Sequence, residues 1–226
     1  MGATVRFVVG CILAALWGAN ALAADSDLSV NARLLVAARN SDVAGVARAL
    51  QAGASPDARN RFGETALVIA LRKKDQAIVA AMLDAKTDVN IAAVNGVTPL
   101  MAAAFAGDTR AVERLLERGA DPAPVDRLGK SAMTYAAGEG HAAIVKLLIA
   151  HGVAPNALYR NDLTALMWAA GYGRDEAVRA LLEAGALTTL RDNRGKTAAD
   201  IARDEGHATT LALIEQWKDA APHASK

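Results

Sequence analysis

Thr65, Thr98, Ser131, Thr164 and Thr197 follow one another at intervals of 33 residues. Ala37, Ala70, Ala103, Ala136, Ala169 and Ala202 keep the same interval. So do Val46, Val79, Val112, Val145 and Val178, with Leu211 completing that series. Glycine recurs likewise at Gly53, Gly119, Gly152 and Gly185, and again at Gly63, Gly96, Gly129 and Gly195. Six units stand in one register without an insertion. Such a period means one supersecondary element per unit, each burying its apolar face against its neighbours.

Each unit reads as a pair of helices. The recurring Thr or Ser is an N-cap, whose side-chain oxygen accepts from an unpaired N–H of the first turn. Pro99 follows Thr98 at the first helical position, where its missing donor costs nothing. This short helix is predicted to end near Gly107. A second helix, "TRAVERLLER", carries Val112, Leu115 and Leu116 at three-and-four spacing. Gly119 then ends it, because glycine readily takes the left-handed cap conformation. A polar turn such as "VDRLGK" leads to the next unit, with a glycine two residues before the next cap.

The segments "TPLMAAAFAGDTRAVERLLERGADP" and "SAMTYAAGEGHAAIVKLLIAHGVAPN" resemble the ankyrin repeat, and the likeness extends over about residues 29–217. The resemblance implies an all-α fold, an ankyrin-repeat solenoid of stacked helix-turn-helix units with projecting β-hairpin-like loops. Divided on that pattern, a lead-in of 24–31 precedes an N-terminal capping unit of 32–64. Repeats of 65–97, 98–130, 131–163 and 164–196 follow, then a shortened capping unit of 197–217 and a flexible tail of 218–226. The family usually has His three residues after the Thr, where this chain has Val68, Met101, Thr134, Met167 and Asp200. The hydrogen bond of that His is expected to be missing, with methionine filling its space. Asp200 instead sets up a capping-box pattern with Thr197. Lys86 stands where other units have glycine, and a left-handed conformation there costs about 1 kcal/mol. Ala93 and Tyr159 replace the turn aspartate that is kept at Asp126 and Asp192.

The first residues, "MGATVRFVVGCILAALWGANALAAD", carry one cation, Arg6, an apolar run from Phe7 to Trp17, and the triplet Ala21-Leu22-Ala23. That is the layout of a secretory signal, with cleavage expected after Ala23, and the apolar run is short for a membrane span. A periplasmic or secreted location follows. An uncleaved anchor is one alternative. A lipid-modified Cys11 is another, although most of the apolar run lies after that cysteine. Cys11 is the only cysteine, so the processed chain would form no disulfide and use no thiol chemistry. Removing residues 1–23 would leave 24 basic against 24 acidic side chains. Zero net charge argues against a nucleic-acid binder, which needs a basic surplus.

Nothing in the motifs points to catalysis. His141 and His207 stand 66 residues apart at one place in their units, His151 precedes Gly152, and His223 is in the tail. No pair has metal-ligand spacing. Asp175-Glu176 and Asp204-Glu205 are adjacent and point in different directions on a helix. There is no nucleophile elbow and no phosphate loop. No enzyme activity, cofactor or metal is expected.

The resemblance implies that the first helices and loop tips line a concave binding groove. One groove column reads Val36, Ile69, Ala102, Tyr135, Trp168 and Ile201. The next two read Arg39, Arg72, Phe105, Gly138, Gly171, Asp204 and Asn40, Lys73, Ala106, Glu139, Tyr172, Glu205. Phe105, Tyr135, Trp168 and Tyr172 thus gather on one face, Phe62 and Tyr159 fall in loops, and Trp217 caps the core. Aromatic residues placed this way suit a recognition surface. Arg39, Arg72 and Lys73 make one end basic, while Glu139, Asp204 and Glu205 make the other acidic. The loop tips add Arg59, Arg61, Arg127, Arg160, Arg191 and Arg194. The expected occupant is another protein, steered by this gradient and met by a monomer without membrane insertion. Exported bacterial relatives imply two roles, support of an envelope enzyme or neutralisation of a toxin or effector as an immunity protein. A further alternative is a small-molecule or glycan-binding accessory that stacks its ligand on Trp168 and Tyr172.

Overall fold

The computed structural model describes residues 29–220. The expected leader 1–23, Cys11, residues 24–28 and the end of the tail from 221 lie outside the described residues. Among the described residues twelve α-helices follow one another in pairs. These are α1 (Val30–Arg39) with α2 (Val43–Gln51), α3 (Ala66–Lys73) with α4 (Gln76–Asp84), and α5 (Pro99–Ala106) with α6 (Thr109–Glu117). Then come α7 (Ala132–Glu139) with α8 (Ala142–Ala150), α9 (Ala165–Gly171) with α10 (Asp175–Glu183), and α11 (Ala198–Asp204) with α12 (Ala208–Ala220). Among the described residues there is no β-strand, only an isolated bridge between Arg59 and Thr65. The all-α solenoid is the observed architecture. Two ends differ from the expected divisions. Ser29 caps α1 through the Ala32 N–H, so that helix starts at Val30. The last helix continues to Ala220.

The inner helices α1, α3, α5, α7, α9 and α11 stack in sequence order, each bearing its outer partner. Alanine makes the close stacking possible: Ala70, Ala103, Ala136, Ala169 and Ala202 are all fully buried between neighbouring helices. Leu, Ile, Val and Met fill one continuous core around them.

Local chemistry starts each inner helix. Thr65, Thr98, Ser131, Thr164 and Thr197 each accept the N–H three residues on. The absent histidine is replaced more fully than its loss implies. Thr134 Oγ1 accepts the Ser131 N–H at 2.8 Å and Asp200 Oδ2 the Thr197 N–H at 3.0 Å. The thioethers of Met101 and Met167 take the same place at 3.5 and 3.4 Å. Side chains with an acceptor in the histidine position serve the same N–H. Lys86 does adopt the left-handed conformation, with φ 58°.

The outer helices change their capping along the stack. Asp42, Asp75 and Asp108 cap α2, α4 and α6 with their own carboxylates. At the same place His141, Arg174 and His207 instead reach back one repeat, to the carbonyls of Phe105, Gly138 and Gly171. They tie the ends of the inner helices to the next unit.

The loops form a ladder. Asn60, Ala93, Asp126, Tyr159 and Asp192 each donate their N–H to the carbonyl four residues on, closing hairpin-like turns. Val94, Arg127 and Asn193 donate to the preceding turn at Phe62, Asn95 and Asn161. In the fourth turn Asp162 occupies the glycine place with φ 58°, next to left-handed Asn161.

Candidate functional site

The inner helices and loop tips enclose open hollows along one face. Arg72, Phe105 and Tyr135 line one of about 250 Å³, together with Glu64, Asn95 and Met101. Arg59, Arg61, Phe62, Arg72 and Lys73 line a trough of about 1010 Å³ between the first two inner helices and the first turn. Tyr159 and Arg160 line a separate hollow of about 600 Å³, beside Val125 and Leu158.

The four groove aromatics form two pairs. Phe105 meets Tyr135 edge to face, with ring centroids 5.6 Å apart and planes at 83°. Trp168 and Tyr172 stack at 6.1 Å and 13°. The Tyr172 ring lies over Gly138 of the preceding repeat, where a Cβ would meet it at 3.5 Å. Phe105 is 52% exposed and Tyr172 50%. Tyr135 and Trp168 are half-buried and pack on the core. They therefore serve both fold and face.

Tyr135 is the more constrained of the two. Its hydroxyl donates to Asp126 Oδ2 at 2.6 Å, while Asp126 Oδ1 accepts the N–H groups of Leu128 and Lys130. Burial, the Asp126 hydrogen bond and the carboxylate charge push the Tyr135 phenol well above its ordinary range. It stays protonated and acts as a donor. Burial likewise pushes the Tyr159 phenol up.

Lys130 went unnoticed in the sequence although it completes the site. Its ammonium stands 4.5 Å from the Trp168 centroid and 5.4 Å from that of Tyr135, bridging two repeats by cation–π contact. A column of residues carried the signal. Glu64 and Lys196, 66 residues either side of Lys130, pair with Arg72 and Asp204, each eight residues further on. The equivalent partner of Lys130 is Gly138, so its charge turns to the rings.

The arginine tips are largely built into the loops. Arg59 donates to the carbonyls of Gly63 and Ala92, and Arg191 to that of Gly195. Arg194 holds Asp192 at 2.8 Å. Arg160 lies across Gly129, where a Cβ would come within 2.6 Å of its own. Arg61 stacks on Phe62 at 4.7 Å, and Arg127 borders a hollow with Arg39 and Arg72. In the groove Lys73 donates to the Arg39 carbonyl. Glu139 is exposed at the end of α7.

The expected charge gradient is weaker at its acidic end. Of its acidic members Asp204 is paired with Lys196, while Glu139 and Glu205 are exposed; nearby, Arg203 holds both Asp200 and Glu215 at 3.0 Å. At the opposite end several cations crowd around Glu64 alone. Among the described residues no three His, Cys, Asp or Glu side chains are grouped as metal ligands. No described helix is long and apolar enough to cross a membrane.

A family model described as ankyrin repeats (3 copies) matches residues 34–126 and 123–192. No curated protein matches the chain.

Proposed function

Because the chain belongs to the ankyrin-repeat family, we propose that it is an exported, non-catalytic module that grips another protein with its inner helices and loop tips. Ankyrin repeats act as protein-interaction modules and are generally not catalysts. One observation carries the choice of face. Phe105 and Tyr172 stay about half exposed beside two half-buried rings, while the core is built of Leu, Ile, Val, Met and Ala. Large rings held rigidly at a surface anchor interfaces at low entropic cost. Export rests on the signal-like order of residues 1–23. The indole already stacks on Tyr172 and receives Lys130, which leaves less free ring for a sugar and favours a protein occupant.

The test is capture of partners from an envelope extract with the wild-type chain and with Trp168→Ala/Tyr172→Ala. The partner is expected to bind the former and be lost from the latter. Equal capture by a folded double variant sinks the reading. Stoichiometric, very tight capture of a toxin or effector selects the immunity role, and capture of an envelope enzyme whose activity depends on the chain selects the supporting role. A processed N-terminus far from Ala24 removes the export step alone.

A further inference from the structure

The trough at the N-terminal end differs chemically from the rest of the face. Its floor is apolar, made by Leu35, Val36 and Ile69, with Val36 42% exposed. Its rim carries Arg39, Arg59, Arg61, Arg72 and Lys73 against one carboxylate, Glu64. Glu64 neutralises Arg72. The hydrogen bonds of Arg59 and Lys73 go to backbone carbonyls, which orient those cations without cancelling their charge. The adjoining hollow of about 440 Å³ adds Arg127 and the apolar Val94. All this surplus sits in a chain whose formal net charge is +1.

We propose that this trough holds an acidic peptide segment of the protein partner that carries large apolar side chains. The inference rests on the binding-module reading and adds the chemistry of what is bound. Charge spread along a rim calls for carboxylates spread along a chain. A compact anion such as phosphate needs donors converging on one point, whereas here the donors of Arg59, Lys73 and Arg72 are directed at separate protein oxygens. The apolar floor calls for an aliphatic or aromatic side chain, because covering Leu35, Val36 and Ile69 removes apolar area from water. Phe62, 50% exposed under the Arg61 guanidinium, offers the wall against which such a side chain packs. Opposite charges along the rim speed encounter and set the direction of the bound chain.

The experiment is fluorescence anisotropy of a labelled glutamate–leucine peptide with the purified chain. Its glutamine-for-glutamate isostere and its serine-for-leucine analogue serve as competitors. Saturable binding is expected, weakened about tenfold in Arg39→Glu/Arg61→Glu and about tenfold when salt is raised well above physiological strength. Arg39→Gln/Arg61→Gln removes the charges without reversing them and gives the same direction if the first variant fails to fold. Arg179→Glu, exposed on the outer helix α10 and away from the trough, leaves binding unchanged. Absence of peptide binding overturns the proposal, as does equal competition by either analogue. Tighter binding of single-stranded oligonucleotide or of phosphatidylglycerol vesicles, with the same dependence on Arg39 and Arg61, overturns it in favour of those anions. Loss of peptide binding with partner capture still dependent on Trp168 and Tyr172 defeats this inference alone. Loss of that dependence defeats the underlying reading.

Discussion

The Lys130 ammonium lies 4.5 Å from the centre of the Trp168 ring, one repeat further along the stack. Its counterparts Glu64 and Lys196 pair with charged residues on the following inner helix. Gly138 offers Lys130 no such partner, and the two rings take the cation instead. The contact links the turn before α7 to α9 across the face proposed for binding.

Lys130→Met should lower stability by about 0.5–1 kcal/mol, the range of a partly exposed cation–π contact. In a Trp17→Phe/Trp217→Phe background the Trp168 emission should shift as the charge leaves the indole. The checks are the urea midpoint and the emission spectrum. An unchanged midpoint with an unchanged spectrum would place the ammonium away from the ring in solution.

Tyr172 and Leu148 should behave as opposites. Leu148 is fully buried in α8, so Leu148→Ala should cost about 2–5 kcal/mol. Tyr172 is half exposed, and Tyr172→Ala should stay within about 1 kcal/mol of the wild type. Denaturant titration compares them. A small effect for Tyr172 makes its loss of partner capture a statement about the surface.

Acid should destabilise the C-terminal unit through Asp200. The Thr197 N–H and then its hydroxyl hold this carboxyl at about 2, against an ordinary value of 3.8. A carboxyl depressed on folding stabilises at pH above its unfolded value, and that contribution is lost as pH falls through the folded one. The loss should therefore run from about pH 3.8 down to about pH 2. Asp200→Asn should be less stable at neutral pH and flatter across that window, measured as thermal midpoint against pH. Asp192 shifts the same way. Burial raises its carboxyl, and the Lys196 and Arg194 N–H groups with the Arg194 guanidinium outweigh that.

Ala123→Asn should stabilise the junction between the third and fourth units. Asn90 and Asn156 each accept a backbone N–H of the next turn, from Asp121 and Leu187, and donate to the carbonyls of Gly119 and Gly185. Ala123 interrupts that series opposite Ala154 and Gly152. Restoring the amide should add about 0.5–1.5 kcal/mol for a hydrogen bond, seen as a higher urea midpoint. A lower midpoint would mean that the apolar hollow beside Ala123 does not admit an amide.

Sequence alone determined the helix pairs, their register and the stack. An N-cap hydroxyl, an apolar three-and-four spacing and a left-handed turn are interactions within a few residues, and an uninterrupted period of 33 repeats them six times. The columns also located the four groove aromatics, because residues sharing a place in the repeat share a face. Tertiary structure decided how the side chains on that face pair. His141 reaches the Phe105 carbonyl 36 residues back, and Lys130 finds Trp168 in the next unit. Each pairing depends on what neighbouring repeats place within a few ångströms, and a column does not encode it. The acidic end of the expected charge gradient is weakened for that reason. The columns place Asp204 at the acidic end with Glu139 and Glu205, but Lys196 pairs with Asp204, whereas the cations around Glu64 remain in excess. Local geometry is written residue by residue, but the charge that a surface presents is set by distances that only the packed solenoid defines.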